Sequence, residues 1–386
     1  MIPYGRQSIS EEDIQAVVDV LRSDFLTQGP LVPRFEQAVC QYTGASHAVA
    51  VNSGTSALHL ACRALDLGPG DILWTTPITF VASANCALYC GAQVDFVDID
   101  PQTFNISTKA LAQKLKQAEE AGRLPKVVVP VHMCGTPCDM ETIYALAKQY
   151  GFYIVEDACH AIGSRYRGEQ VGSCRYSDIT VFSFHPVKTI TTGEGGMATT
   201  NNKEFADKMA LLRSHGITRD PGKMTRKPDG PWYYEQIALG YNYRMTDIQA
   251  ALGISQLKRI DDFINQRNKL AVCYDKQLAG IPVHCQHRSE HHYSAMHLYI
   301  IRLDENPKGK SRLQVVNKLH ERGVGVNVHY IPVHTQPWYQ QLGFKQGDFP
   351  DAEEFYSGAV SLPMYPALTT AQQEQVMIAL REVMGV

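Results

Sequence analysis

Residues 182–200 read "FSFHPVKTITTGEGGMATT", so Lys188 follows an apolar strand-like run and precedes a string of threonines and glycines. Upstream, "VEDACHAIGS" (155–164) ends a similar run in two carboxylates, Glu156 and Asp157. Side chains alternate across a strand, so these two point to opposite faces, and Asp157, the last of the run, is the one placed at the strand's carboxyl edge. Alone, Asp157 reads better as the cap of a following turn, and Lys188 as a surface lysine. Together they suit pyridoxal phosphate: a lysine amine condenses with its aldehyde, and a carboxylate keeps its pyridine nitrogen protonated so that the ring takes up a carbanion's electron pair.

The phosphate of such a cofactor needs donors. In "NSGTSALHL" (52–60) a turn of small residues runs into a helix, where main-chain N–H groups and the hydroxyls of Thr55 or Ser56 would receive a dianion. An ordinary serine or threonine cap explains the same residues equally well. Ser183, shortly before Lys188, is placed to reach the same phosphate. Phe80 in "TTPITFVASANCALYCGA" (75–92) stands at another strand-to-helix junction, either as a platform for the pyridine face or as a core phenylalanine. His160 is read as a partner of the ring's phenolic oxygen or of a main-chain carbonyl, with nothing to choose between them.

Positioning these groups takes a sheet. Short β-branched runs at 47–51, 72–76, 93–99, 126–132, 152–157, 179–184 and 195–200 predict seven strands. Helical spacing at 56–66, 79–90, 108–121 and 140–150 between them predicts an α/β domain on a mainly parallel seven-stranded sheet. Ligands of such sheets gather beyond the carboxyl ends of the strands. The expected organisation is a large domain over 1–245, one long linking helix over 246–280, and a smaller C-terminal α+β domain over 281–386. The last should hold strands at 297–303 and 324–330, a helix at 312–323 and a closing helix from Thr370. The Gly- and Pro-rich stretch 215–240 is expected to be a long loop.

The 386 residues are 44% hydrophobic and 19% charged, enough apolar material for two domains, and a formal charge of -3 gives no field that would draw nucleic acid or an acidic membrane. The N-terminus lacks a signal-peptide pattern and no apolar run approaches a membrane span, so a cytoplasmic protein is expected. Ten scattered cysteines read as reduced, mostly buried thiols. The CxxxC pairs Cys86/Cys90 and Cys134/Cys138 lie in a helix-like apolar run and around a Gly-Thr-Pro turn, and no metal is expected there. Histidine-rich "HCQHRSEHHYSAMH" (284–297) is read as a polar interdomain loop rather than a metal site.

In order along the chain, "NSGTSALHL", "TFVASANC", "EDACHAIGS", "FSFHPVKTITTGEGG" and "GYNYRMTDIQAALGISQL" resemble the sugar aminotransferases of the DegT/DnrJ/EryC1/StrS group, over nearly the whole length. The resemblance implies the aspartate aminotransferase-like fold (fold type I) and pyridoxal 5'-phosphate as cofactor. It implies Lys188 as covalent anchor, Asp157 on the pyridine nitrogen, His160 near the ring oxygen, Phe80 stacked on the ring, and Ser56 and Ser183 on the phosphate. It also implies a homodimer in which Asn242 reaches the phosphate in the neighbouring subunit's site. Relatives with histidine in place of the lysine dehydrate sugars, so Lys188 favours amino transfer.

"LTQGP" (26–30), "VNVHYIPVHTQPWY" (326–339) and "GDFPDAEEFYSGAVSLPMYP" (347–366) look most like the members that make UDP-4-amino-4,6-dideoxy-N-acetyl-β-L-altrosamine for pseudaminic acid. That implies L-glutamate as donor and a UDP-linked 4-keto-6-deoxy-N-acetylhexosamine as acceptor (UDP-2-acetamido-2,6-dideoxy-β-L-arabino-hexos-4-ulose). By position, Tyr4, the segment of Asp24, Phe25, Leu26 and Thr27, and the segment of Asn327, Val328, His329 and Tyr330 are candidates for nucleotide-sugar contact. The rivals are an aminotransferase for another nucleotide-linked 3- or 4-keto sugar, and a non-catalytic regulator that binds the cofactor or a nucleotide sugar. The second fits poorly with a chain that carries no appended basic or DNA-binding segment.

Overall fold

The computed structural model describes residues 1–304 and 311–386. Seven strands form one sheet: β1 (His47–Val51), β2 (Ile72–Thr75), β3 (Gln93–Phe96), β4 (Val127–Val128), β5 (Tyr153–Asp157), β6 (Ile179–Ser183) and β7 (Gly196–Thr200). Each lies within one of the seven β-branched runs. Their spatial order is β1-β7-β6-β5-β4-β2-β3, and β7 alone runs against its neighbours while the others pair in parallel. The carboxyl ends of β1, β5 and β6 therefore come out on one edge.

Alternation along these strands divides the core. Val49, Val51, Leu73, Val155, Val181 and Ala198 pack with the buried helix Gly54–Ala64 on one face. On the other, Ala50, Phe182 and Met197 meet helices Leu31–Thr43 and Asp247–Leu257, while Trp74, Val128 and Ile154 meet helices Thr108–Glu120 and Met140–Tyr150. A sheet covered on both faces explains why β1, β2 and β6 read as near-continuous apolar runs, while the edge strand β3 alternates buried Val94 and Phe96 with Gln93 and Asp95.

Towards the C-terminus, Val283–Cys285, Tyr299–Leu303 and Ala359–Leu362 form a three-stranded antiparallel sheet. Helices Arg312–Glu321 and Thr370–Met384 cover it with Val315, Leu319, Val376 and Leu380. Ile2 also packs against this core, which ties the start of the chain to its end.

Three expectations are corrected. Residues 246–280 are two helices, Asp247–Leu257 and Ile260–Gln277, broken at Lys258 and Arg259. The first is pressed onto helix Leu31–Thr43, where a Cβ on Gly253 would lie 2.6 Å from the Phe35 ring, whereas the second buries Leu270, Ala271 and Tyr274 in the C-terminal core. The two halves answer to different neighbours, and Arg259 at the joint is held by the buried carboxylate of Asp13. Residues 324–330 form no strand. Val324 bridges to Ile2 and Asn327 to Ser361, so the segment is shared between two single-residue contacts instead of a ladder. The histidine-rich stretch is more ordered than a loop, since Val283–Cys285 and His292–Tyr293 both pair with other strands. Within 215–240 only Ile217–Thr218 and Glu235–Gln236 pair.

Candidate active site

The sheet edge opens into a cavity of about 700 Å³ lined by Asn52, Thr55, Ser56, Thr79, Phe80, Asp157, His160, Ser183, Lys188 and Tyr330, among others. Lys188 stands at the tip of the excursion between β6 and β7. Its base is pinched shut by Phe184 N–H donating to Gly195 O at 2.9 Å and Thr192 N–H to Phe184 O at 3.0 Å. The lysine's own N–H closes a turn on His185 O at 2.9 Å, while its Nζ makes no hydrogen bond among the described residues. Burial disfavours the ammonium and pulls the Lys188 pKa below its ordinary value, although Cys159 and Asp157 nearby act in the other direction.

Asp157 ends β5 and is 5% exposed. Its Oδ2 accepts from Ser83 Oγ at 2.5 Å and its Oδ1 from Cys159 N–H at 3.1 Å. Glu156 points to the other face, into a closed network in which His132 Nε2, Ser177 Oγ and Thr180 Oγ1 donate to it at 2.7, 2.5 and 2.9 Å. The strand's alternation thus separates a carboxylate aimed into the cavity from one locked in the core.

Helix Gly54–Ala64 starts at the cavity wall. Ser53 caps it, accepting from Ser56 N–H at 3.1 Å, and Ser56 Oγ donates to Asn52 Oδ1 at 2.7 Å. The N–H groups of Gly54 and Thr55 have no acceptor among the described residues, as the first turn of a helix leaves them. A Cβ on Gly54 would lie 2.9 Å from Ser183 Cβ, and one on Gly196 2.3 Å from Ser53 O. The two glycines let the helix end abut β6 and β7, which makes a cradle of free N–H groups beside the Ser183 hydroxyl.

Phe80 is 58% exposed over the cavity, its ring centroid 6.3 Å from that of Tyr330. It is not a core residue. His160 is buried and bonds a side chain rather than a main-chain carbonyl. Nε2 pairs with the Tyr330 hydroxyl at 3.1 Å, and Nδ1 is buried without a partner. Burial, with Lys188 near it, holds His160 well below the usual histidine range and therefore neutral. His329 is likewise pushed down to about 4 by burial and Lys188, with its Nδ1 on Ser361 Oγ at 2.7 Å.

Of the residues suggested for nucleotide-sugar contact, Tyr330 lines the cavity, and Tyr4 lies behind it, 5.7 Å ring to ring from His329. Val328 is half-buried and does not line the cavity. Asn327 is exposed, and its side chain accepts from Val328 N–H. Asp24, Phe25, Leu26 and Thr27 are exposed and outside the cavity of their own chain, anchored where Leu26 O accepts from Asp247 N–H and Thr27 bridges to Thr246. Asn242 is exposed as well, and its main-chain O accepts from Asn52 Nδ2 at 3.5 Å. Sequence reasoning missed Ser83, which holds Asp157. Its signal was its place one helical turn after Thr79, to which it bonds at 2.6 Å.

These residues fit pyridoxal 5'-phosphate: an unpaired amine, a buried carboxylate with acceptor capacity to spare, a cradle of unpaired N–H groups that a Cβ would fill, and an orphaned histidine nitrogen. A model of the DegT/DnrJ/EryC1/StrS aminotransferase family matches residues 7–381. The spore coat polysaccharide biosynthesis protein SpsC of Bacillus subtilis (strain 168) is 41% identical over 389 residues, covering 99% of this chain and 97% of that protein. Among solved structures, Helicobacter pylori PseC, an aminotransferase involved in the biosynthesis of pseudoaminic acid, is similar with a TM-score of 0.91 and 32% identity, covering 100% of this chain and 99% of that one. The putative sugar aminotransferase Spr1654 from Streptococcus pneumoniae, in its PMP form, is similar with a TM-score of 0.90 and 32% identity over the same shares.

Proposed function

The chain belongs to the DegT/DnrJ/EryC1/StrS aminotransferase family, a pyridoxal-phosphate-dependent sugar aminotransferase of fold type I, and from that premise we propose that it moves the amino group of L-glutamate to C4 of a UDP-linked 4-keto-6-deoxy-N-acetylhexosamine on the route to pseudaminic acid. The observation that carries amino transfer is the convergence of the unpaired Lys188 amine, the Asp157 carboxylate and the helix end at Gly54 in one cavity. The likeness to PseC over the full chain supports the choice of sugar.

When bound, pyridoxal 5'-phosphate supplies an aldehyde that bonds to amines and a ring that takes up the electron pair left as a carbon loses its proton. Lys188 is the residue that would anchor it covalently. Asp157 would keep the ring nitrogen protonated, its own position fixed by Ser83 and Cys159. The N–H groups of Gly54 and Thr55, with the Ser56 and Ser183 hydroxyls, would receive the phosphate, and Phe80 would cover the ring face. His160, held neutral, would stand near the ring oxygen. Lys188 Nζ, free of hydrogen bonds, takes the proton from Cα of glutamate, and in the return half-reaction delivers one to C4 of the sugar. Glutamate leaves as 2-oxoglutarate, and the keto sugar leaves as the amino sugar.

The working unit we infer is a cytoplasmic homodimer with shared sites. Asn242 is exposed, and the segment before it carries Trp232 at 70% and Leu239 at 79% exposure, which a second copy would cover. A second reading, amination of a different nucleotide-linked keto sugar, is favoured by the 41% identity to SpsC. Purified enzyme is to be assayed with L-glutamate and a panel of UDP- and dTDP-linked 3- and 4-keto sugars. Turnover of the UDP-4-keto-N-acetyl sugar above all others is expected, and preference for a 3-keto sugar would overturn the assignment. Lys188→Ala should lose both the visible absorbance of the bound cofactor and turnover.

A further inference from the structure

Thr79 lines the cofactor cavity, and no step of amino transfer uses it. It stands in the junction between β2 and helix Ala82–Tyr89, a helix whose N-cap, Val81, offers no side-chain hydrogen bond. A serine or threonine beside a helix start ordinarily serves as its cap. Here the hydroxyls of Thr79 and Ser83 turn elsewhere. Ser83 Oγ lies 2.5 Å from Asp157 Oδ2 and 2.6 Å from Thr79 Oγ1, and Thr79 Oγ1 has no other partner among the described residues. Asp157 is 5%, Thr79 2% and Ser83 0% exposed, so bulk water does not reach these bonds. Phe80, which follows Thr79 directly, stands over the same cavity.

The direction of the protons follows from what each group has to give. A carboxylate only accepts, so the Ser83 proton lies on the bond to Asp157. Ser83 has no second hydroxyl proton, so Thr79 is the donor in the bond between them. We propose that Thr79 is a positioning residue for the cofactor: its hydroxyl donates to Ser83, which keeps the Ser83 proton on Asp157 and holds that carboxylate in place for the ring nitrogen. This role rests on Asp157 being the partner of that nitrogen. Without Thr79, Ser83 Oγ has another acceptor within reach, Phe80 O at 3.3 Å, which already takes Ser83 N–H at 3.2 Å. A hydroxyl turned that way leaves Asp157 Oδ2 buried without its donor and frees the carboxylate to rotate. The bond from Thr79 also polarises the Ser83 hydroxyl, which strengthens its hold on the carboxylate charge. With the negative charge kept on Asp157, the shared proton stays on the ring. The same chain of bonds joins the turn that carries Phe80 to the end of β5, so one relay sets both the residue over the ring face and the residue at the ring nitrogen.

The full-length chain, freed of cofactor, is to be titrated with pyridoxamine 5'-phosphate, which has no aldehyde to bond Lys188 and so reads the ring and phosphate contacts alone. Ser83→Ala should weaken binding about tenfold, as for a lost hydrogen bond to a charge, and the equally sized Thr79→Val about threefold. Thr79→Ser, which keeps the hydroxyl, should bind as the parent does. Because Thr79 acts through Ser83, the double variant should bind no more weakly than Ser83→Ala alone. A silent Thr79→Val, a Thr79→Ser as weak as Thr79→Val, or losses that add in the double variant would each overturn the relay. Asp157→Asn is titrated beside them. A loss there with Thr79→Val silent removes the relay only, whereas no loss there removes Asp157 from the ring nitrogen and the relay with it. Neutron diffraction from crystals of the unmutated, cofactor-loaded enzyme locates the protons themselves and stands even where a variant fails to fold. Deuterium on Thr79 Oγ1 directed at Ser83 is expected; deuterium on Ser83 Oγ directed at Thr79 or at Phe80 O would refute the relay.

Discussion

At the scale of single residues, the site is two groups whose charge states are set by different means. Asp157 is tethered at both oxygens, by Ser83 and by Cys159 N–H, and still has lone pairs for a ring nitrogen. Asp157→Asn keeps the shape and removes the charge, so kcat should fall by ~10²- to 10³-fold with little change in the KM for glutamate. Steady-state kinetics showing less than a tenfold fall would remove Asp157 from its role. Lys188 is prepared by burial, which lowers its pKa. Its neutral amine is therefore more abundant at a given pH than that of a free lysine. Capture of pyridoxal phosphate by the cofactor-free protein, followed by visible absorbance, should rise with pH and level off below the ~10.4 of an ordinary lysine. A plateau reached only in that ordinary range would contradict the burial argument.

At the scale of elements, β5 and the helix starting at Gly54 do the positioning. Glu156 anchors β5 from behind: burial opposes its ionisation, but His132, Ser177 and Thr180 together hold its carboxyl below the usual range. A carboxyl lowered on folding adds stability that is present above its unfolded value and lost as pH falls through its folded one. Glu156→Gln should cost about 2 kcal/mol near neutrality and flatten the acid side of a plot of melting temperature against pH. Parallel curves for variant and parent would show that the charge contributes nothing. Gly196 fixes the helix end from below. The Cβ of Gly196→Ala would meet the Ser53 carbonyl at 2.3 Å, main chain against main chain, so a loss of about 3 kcal/mol in urea unfolding and weakened cofactor retention are expected. The elements themselves were legible because burial makes most of β1 to β7 short runs rich in apolar and β-branched residues. The break at Arg259 was not, since nothing in the helical spacing of 246–280 says that Gly253 must approach Phe35 while Tyr274 enters a different core.

At the scale of the whole molecule, the proposed sharing of sites has a direct test. Lys188→Ala and Asn242→Ala chains should each be weak or inactive, but co-expressed they form mixed dimers holding one intact site, restoring about a quarter of parental activity for random pairing. No restoration would mean that each chain completes its own site. The sequence by itself pointed to the cofactor and laid out the sheet, because a lysine and an aspartate at strand ends, taken together, and strand-forming runs carry their meaning in residue type and spacing. It also separated Glu156 from Asp157, since a period of two is a local property. Tertiary structure alone decided that His160 bonds Tyr330 across 170 positions and that Ser83 bonds Asp157 across 74. Those contacts join segments far apart in the chain, and their energies depend on distances and burial that no residue's identity or spacing contains.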